Sequence, residues 1–117
     1  MKKAFHLSTC NTCQRIIKDL GIGDSFAFQD IKSEPITEAQ LDAMAQMVGS
    51  YEALFSRKAR KFRALQLNQQ NLEEKDYRKL ILEEYTFLKR PVFIVDENIF
   101  IGNSRKNIEA LAAYLGA

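Results

Sequence analysis

Apolar positions along this chain repeat with two periods, two and about 3.6, and in one place run without a break. Lys3-Ala4-Phe5-His6-Leu7 reads as a short strand. Ile16, Ile17 and Leu20 then recur at helical spacing, and Gly21 stops that helix. Ser25 to Ile31 alternates like a half-buried strand, and Lys32 to Ile36 is a loop containing Pro35. Thr37-Glu38-Ala39-Gln40 has the capping-box form, in which a Thr hydroxyl and a Gln side chain satisfy each other's backbone N–H groups. The helix it opens carries Leu41, Met44, Ala45 and Val48 on one face and ends at Gly49. Tyr51 to Leu65 reads as helical but broken, anchored by Leu54, Phe55, Phe62 and Leu65. Asn71 is placed to cap a further helix, Leu72 to about Tyr85, with Tyr77, Leu80, Ile81 and Tyr85 turned inward.

The pattern then changes. Pro91-Val92-Phe93-Ile94-Val95 is continuously apolar, as a strand buried on both faces requires. Asp96-Glu97-Asn98 makes a tight turn, and Ile99-Phe100-Ile101 returns as the other arm of a hairpin. Gly102-Asn103-Ser104 leads into a last helix with Ile108, Leu111, Ala112 and Leu115 on one side, closed by Gly116. A β-α-β start and a β-β-α finish predict an α/β, thioredoxin-like fold with a four-stranded mixed sheet. The helical stretch over about 37–87 is an insertion between the two parts, within a single domain spanning 1–117.

Composition adds bounds. A chain of 117 residues can bury a core without staples, and 46% hydrophobic with 27% charged residues is ordinary for a globular protein. A net charge of +2 gives no reason to expect direct nucleic-acid binding. No run is long enough to span a membrane, and the apolar stretch after Met1-Lys2-Lys3 is too short and too polar at His6 for a secretion signal. The expected compartment is the cytoplasm, where thiols stay reduced and a close cysteine pair is more often catalytic than structural.

The chemistry concentrates in His6-Leu7-Ser8-Thr9-Cys10-Asn11-Thr12-Cys13-Gln14-Arg15, which holds both cysteines and the single histidine. Cys10 falls where a strand ends and a helix begins. The N–H groups and dipole of a helix start favour an anion there, either the thiolate itself or a bound oxyanion. Zinc is discounted, because two cysteines and one histidine cannot supply four ligands. A structural disulfide across so small a loop would stabilise little. A redox or nucleophilic pair is preferred over two small buried residues.

Cys10, the Arg in Leu54-Phe55-Ser56-Arg57, the Leu88-Lys89-Arg90-Pro91-Val92 segment and Ile101-Gly102 stand in the order seen in the ArsC/Spx family, which this chain resembles over essentially its whole length. That family comprises thioredoxin-fold arsenate reductases, Spx transcriptional regulators and relatives. The resemblance implies Cys10 as nucleophile, His6 as the group that helps activate it, Cys13 as its partner thiol and Pro91 as a cis-proline. It also implies an oxyanion cradle of Arg57 and Arg90 with the N–H groups of Asn11 and Thr12, since planar guanidinium groups offer paired donors to a tetrahedral anion. The chain departs from the arsenate reductases at Asn103, where they carry a further Arg; Asn103 is then the oxyanion-binding candidate at that place, with Arg105, two residues on, as the substitute cation if the helix start turns it inward. It also departs at Cys13, which resembles the C-x-x-C switch of Spx, and at Leu7-Ser8-Thr9, which replaces an Asn-Pro.

Arg57-Lys58-Ala59-Arg60-Lys61-Phe62-Arg63 is strongly basic. Apart from Arg57 it reads best as a solvated helix face, balanced by Glu52, Glu73 and Glu74. Two function classes follow. One is a thiol-dependent reductase of an oxyanion or disulfide, with no bound cofactor or metal and with glutathione, a glutaredoxin or a thioredoxin as electron donor. The other is an Spx-like redox sensor that docks on the RNA polymerase α-subunit.

Overall fold

The computed structural model describes residues 2–116, in the order β1 (Lys2–His6), α1 (Asn11–Leu20), β2 (Ala27–Asp30), α2 (Glu38–Val48), α3 (Arg60–Ala64), α4 (Glu74–Glu83), β3 (Val92–Val95), β4 (Asn98–Ile101) and α5 (Arg105–Tyr114). Short 3-10 turns at Glu52–Leu54, Leu67–Gln69 and Tyr85–Phe87 lie between them. The chain divides into two units, one made of the residues up to Glu34 with those from Arg90 onward, the other of Pro35–Lys89.

The first unit holds the sheet, ordered β2-β1-β3-β4. β1 and β2 are parallel and joined through α1, whereas β1–β3 and β3–β4 are antiparallel. This is the mixed four-stranded sheet of a thioredoxin-like fold. Pleating sends Ala4, Phe93 and Val95 to one face, where Ile16 of α1 and Leu111 of α5 close a core with Ile22 and Phe26. All four β3 residues are buried, as the unbroken apolar run requires. Each such side chain removed from water contributes about 1.5–3 kcal/mol. Gly21 ends α1 at φ 64°, the left-handed conformation that a glycine adopts without strain. The strand expected from Ser25 is shorter, because the Ser25 amide and hydroxyl both turn back to the Ile22 carbonyl, at 3.1 and 3.3 Å.

In the second unit, Thr37 and Gln40 form the expected capping box, and α2 buries Leu41, Met44 and Ala45. Phe55 is fully buried, stacked on Phe87 at 5.0 Å and tilted against Tyr77 at 4.9 Å. Its strand-like stretch bridges Leu88, and the Ser56 amide donates to Phe87 O at 2.7 Å. Two anchors move. α3 ends at Ala64 and Gln66 adopts φ 57°, so Leu67 is buried while Leu65 is 51% exposed. α4 begins later than expected, because Glu73 rather than Asn71 is the cap, reciprocally bonded with Asp76. Tyr85 falls in the following turn, which the Glu84 carboxylate opens by accepting from the Thr86 amide. The basic segment is balanced in part as expected, by Glu52 against Arg57 at 2.7 Å, and in part otherwise. Lys61 pairs with Glu84 at 2.6 Å, while Glu74 accepts the Tyr51 and Glu52 amides.

Candidate active site

β1 ends at His6, and the loop Leu7-Ser8-Thr9 delivers Cys10 as the cap residue of α1, with φ −88° and ψ 114°. The Cys10 amide is spent on Leu7 O at 2.9 Å, and its carbonyl accepts the Gln14 amide at 3.0 Å. Its sulfur is therefore left at the positive end of a ten-residue helix. Cys10 is half-buried and Cys13, inside the first turn, is 1% exposed; both are free thiols.

The two thiols differ in acidity. Burial opposes ionisation of Cys10. It is outweighed by the Cys13 amide and thiol and the Thr12 amide, which favour the thiolate, and by the charge of Arg90, so its pKa falls below the ordinary 9.0. Cys13 goes the other way. Burial, reinforced by the contact with Cys10, pushes it up to about 11 despite the Arg90 charge. This asymmetry has the direction expected from position, because the dipole's influence fades within the first turn.

Arg90 stands immediately before Pro91, and the bond joining them is cis. Pro91 O accepts the Gly102 amide at 2.9 Å, which ties this segment to the end of the hairpin. Cys10, Cys13 and Arg90 thus act on one another, with Asn11 and Thr12 in the same helical turn. His6 is half-buried, its ring edge-on to Phe28 at 5.4 Å. Asn103 is exposed at the approach to α5. Arg105 is 93% exposed and donates along its own helix to Glu109 at 2.9 Å. Arg57 lies in the other unit, where its guanidinium donates to Glu52 at 2.7 Å and to the Tyr77 hydroxyl at 2.9 Å, 5.6 Å above the Tyr77 ring.

One set of residues around Cys10 carried no signal in the sequence. The Asp30 carboxylate at the end of β2 accepts the Ser8 hydroxyl at 2.6 Å and the Ser8 amide at 3.4 Å. Gln14 of α1 donates to the Ser8 carbonyl. The bond from Ser8, helped by the Lys32 amide, holds the Asp30 carboxyl below its ordinary pKa against a small burial effect. The loop that replaces the Asn-Pro of the arsenate reductases is therefore braced from two elements. Among the described residues no cluster of three His, Cys, Asp or Glu side chains could hold a metal ion, and no helix is long and apolar enough to cross a membrane.

Solved structures of similar fold include the YFFB protein, at 20% identity and TM-score 0.79 over 97% of each chain. An arsenate reductase from Vibrio cholerae matches at 15% identity and TM-score 0.76, over 94% of each chain. An arsenate reductase (ArsC) related protein from Brucella melitensis matches at 26% identity and TM-score 0.72, over 93% of this chain and 92% of that one. No match emerged among curated proteins. The pattern that defines the ArsC family fits residues 5–111, nearly the whole thiol-bearing fold just described, and the chain belongs to the ArsC family.

Proposed function

We propose that the protein is a thiol-dependent reductase of the arsenate-reductase type, in which Cys10 attacks an oxyanion or a disulfide and Cys13 or an external thiol resolves the adduct. The observation that carries this reading is the pairing of an acidified, accessible Cys10 with a buried, protonated Cys13 beside Arg90. With a disulfide, the Cys10 thiolate bonds to one sulfur and the other leaves as a thiolate. With arsenate, Cys10 forms an S–As bond as water leaves. In either case a second thiol, once deprotonated, attacks the Cys10 sulfur. The electron pair of the breaking bond goes to the departing thiolate or to arsenic, which leaves as As(III). The Cys10 sulfur is left in a disulfide, with Cys13 or with the external thiol, and glutathione, a glutaredoxin or a thioredoxin supplies the two electrons that reduce it back to the thiol.

Arg90 is the cation that supports this chemistry within the first unit. Asn103 contributes no charge, and Arg105 is engaged with Glu109. Arsenate turnover should therefore be slow, and Asn103→Arg should raise it. The test is kcat/KM for arsenate and for a glutathione mixed disulfide in the parent, Cys10→Ser, Arg90→Ala and Asn103→Arg, with glutathione and glutaredoxin or thioredoxin supplying electrons. Cys10→Ser should abolish both activities. Arg90→Ala should cost about 10²-fold, as removal of a charge-stabilising donor does. If neither substrate turns over the enzymatic reading fails, and if Arg90→Ala changes nothing and Asn103→Arg gains nothing its arsenate form fails. The contact between the two thiols also suits an Spx-like sensor, and retention of the RNA polymerase α-subunit by the oxidised or reduced protein would then be the better account.

A further inference from the structure

β4 is an edge strand: among the described residues it pairs with β3 alone. The bond from the Gly102 amide to Pro91 O sets the phase of this ladder, since bonded pairs alternate in an antiparallel hairpin. Phe93–Phe100 and Val95–Asn98 are then the other bonded pairs. Ile99 and Ile101 consequently turn their own N–H and C=O groups outward, away from β3. Natural edge strands are usually protected by a lysine, a proline or a bulge. Asn98-Ile99-Phe100-Ile101 has none of these, and its three apolar residues are only half-buried. Tyr114 of α5 extends the patch: it is 48% exposed, with its ring 5.8 Å from Phe100.

The flanking charges say what fits. Asp96 and Glu97 precede the strand, and Arg105 and Lys106 follow it closely. A second β4 laid antiparallel sets the acidic end of each strand against the basic end of the other. A parallel arrangement sets like against like. With the two-fold axis at Phe100, Ile99 of one copy lies opposite Ile101 of the other, and every outward N–H and C=O of the strand finds a partner. We propose that β4 is a self-association edge, through which two copies pair antiparallel into one continuous sheet, with Phe100 and Tyr114 meeting across the axis.

One strand pair is small beside the roughly 1,600 Å² of a standard interface, so the dimer is weak and concentration-dependent. The test is sedimentation equilibrium of the whole protein over a wide concentration range, with dithiothreitol present so that Cys10 cannot cross-link copies. Amide NMR is recorded on the same samples. A reversible dimer is expected, weakened by salt, with the Ile99 and Ile101 amides shifting and gaining protection from exchange as concentration rises. Ile99→Pro removes an outward N–H while leaving the bonds to β3 in place, and should weaken association at least about tenfold. Tyr114→Lys, on the exposed side of α5, removes the ring beside Phe100 and the hydroxyl that accepts from Asn98 Nδ2 while leaving the backbone bonds between β3 and β4 in place, and should weaken it in the same direction. A protein that stays monomeric throughout, or a dimer indifferent to both substitutions, overturns the proposal.

Discussion

The reactivity of Cys10 depends on its neighbours as much as on its own place at the start of α1. The Cys13 thiol, the Cys13 and Thr12 amides and Arg90 all favour the thiolate, against the effect of burial. Removing any of them should raise the Cys10 pKa. Alkylation rate against pH should give a midpoint below 9.0 for Cys10 and near 11 for Cys13. Cys13→Ala should move the Cys10 midpoint upward, Cys13→Ser should move it less because a hydroxyl still donates, and Arg90→Ala should also raise it. Coincident midpoints for the two thiols would refute the assignment. The Ser8–Asp30 brace makes a second claim at this scale. Asp30→Ala should leave the Cys10 pKa nearly unchanged but misplace the sulfur, lowering turnover by up to about 10²-fold. Asp30→Asn keeps an acceptor for the Ser8 hydroxyl and should be milder. The dithiol was legible in the sequence because two cysteines in one helical turn are a one-dimensional pattern. Arg90 was legible only through the Lys-Arg-Pro resemblance. The brace was not legible, since Ser8 and Asp30 are 22 residues apart and meet only through the parallel register of β1 and β2.

Elements with their own local chemistry were read correctly from the sequence, and elements ended by competing polar contacts were not. The Thr37 capping box, the helix-ending Gly21 and Gly49, and the buried β3 each follow from a residue type with one strong preference. The start of α4 does not. Asn71 and Glu73 can both cap, and Asp76, three residues after Glu73, decides between them by returning the bond. Leu65 and Leu67 are likewise equivalent in hydrophobicity. The left-handed turn at Gln66, a residue with no strong preference for it, determines which is buried. The capping box gives a direct measurement. Thr37→Ala removes the acceptor for the Gln40 amide and should destabilise α2 by about 1 kcal/mol, within the 0.5–2 range for such caps. Thr37→Ser should keep most of that stability. Denaturant midpoints for the three proteins, with an unchanged slope, are the check.

At the scale of the whole molecule, the sheet-bearing unit and Pro35–Lys89 are organised by different forces, and this should show in acid. The first is held mainly by apolar packing around Ala4, Ile16, Phe93 and Leu111. The second also joins α2 to α4 through charge. Arg78 donates to both Asp42 oxygens, at 2.8 and 3.2 Å, and to Glu38 at 3.3 Å, while the Tyr51 hydroxyl donates to Asp42 at 2.6 Å. The bonds from Arg78 and Tyr51 lower the Asp42 pKa from 3.8 to about 2, outweighing a small opposing effect of burial. A carboxyl whose pKa is lower folded than unfolded stabilises the native state fully above the unfolded value. That contribution is lost as pH falls through the folded one. It should therefore be intact above about pH 4 and fade toward pH 2, with protons taken up on unfolding across that window. Asp42→Asn removes this titration, so its stability should vary less with pH there while the parent's falls. Amide exchange in α2 and α4 should accelerate between pH 4 and 2 in the parent, after correction for the intrinsic pH dependence, with β1 and β3 affected less. If both proteins lose stability in parallel over that range, the Asp42–Arg78 pair is not what holds α2 to α4 in acid.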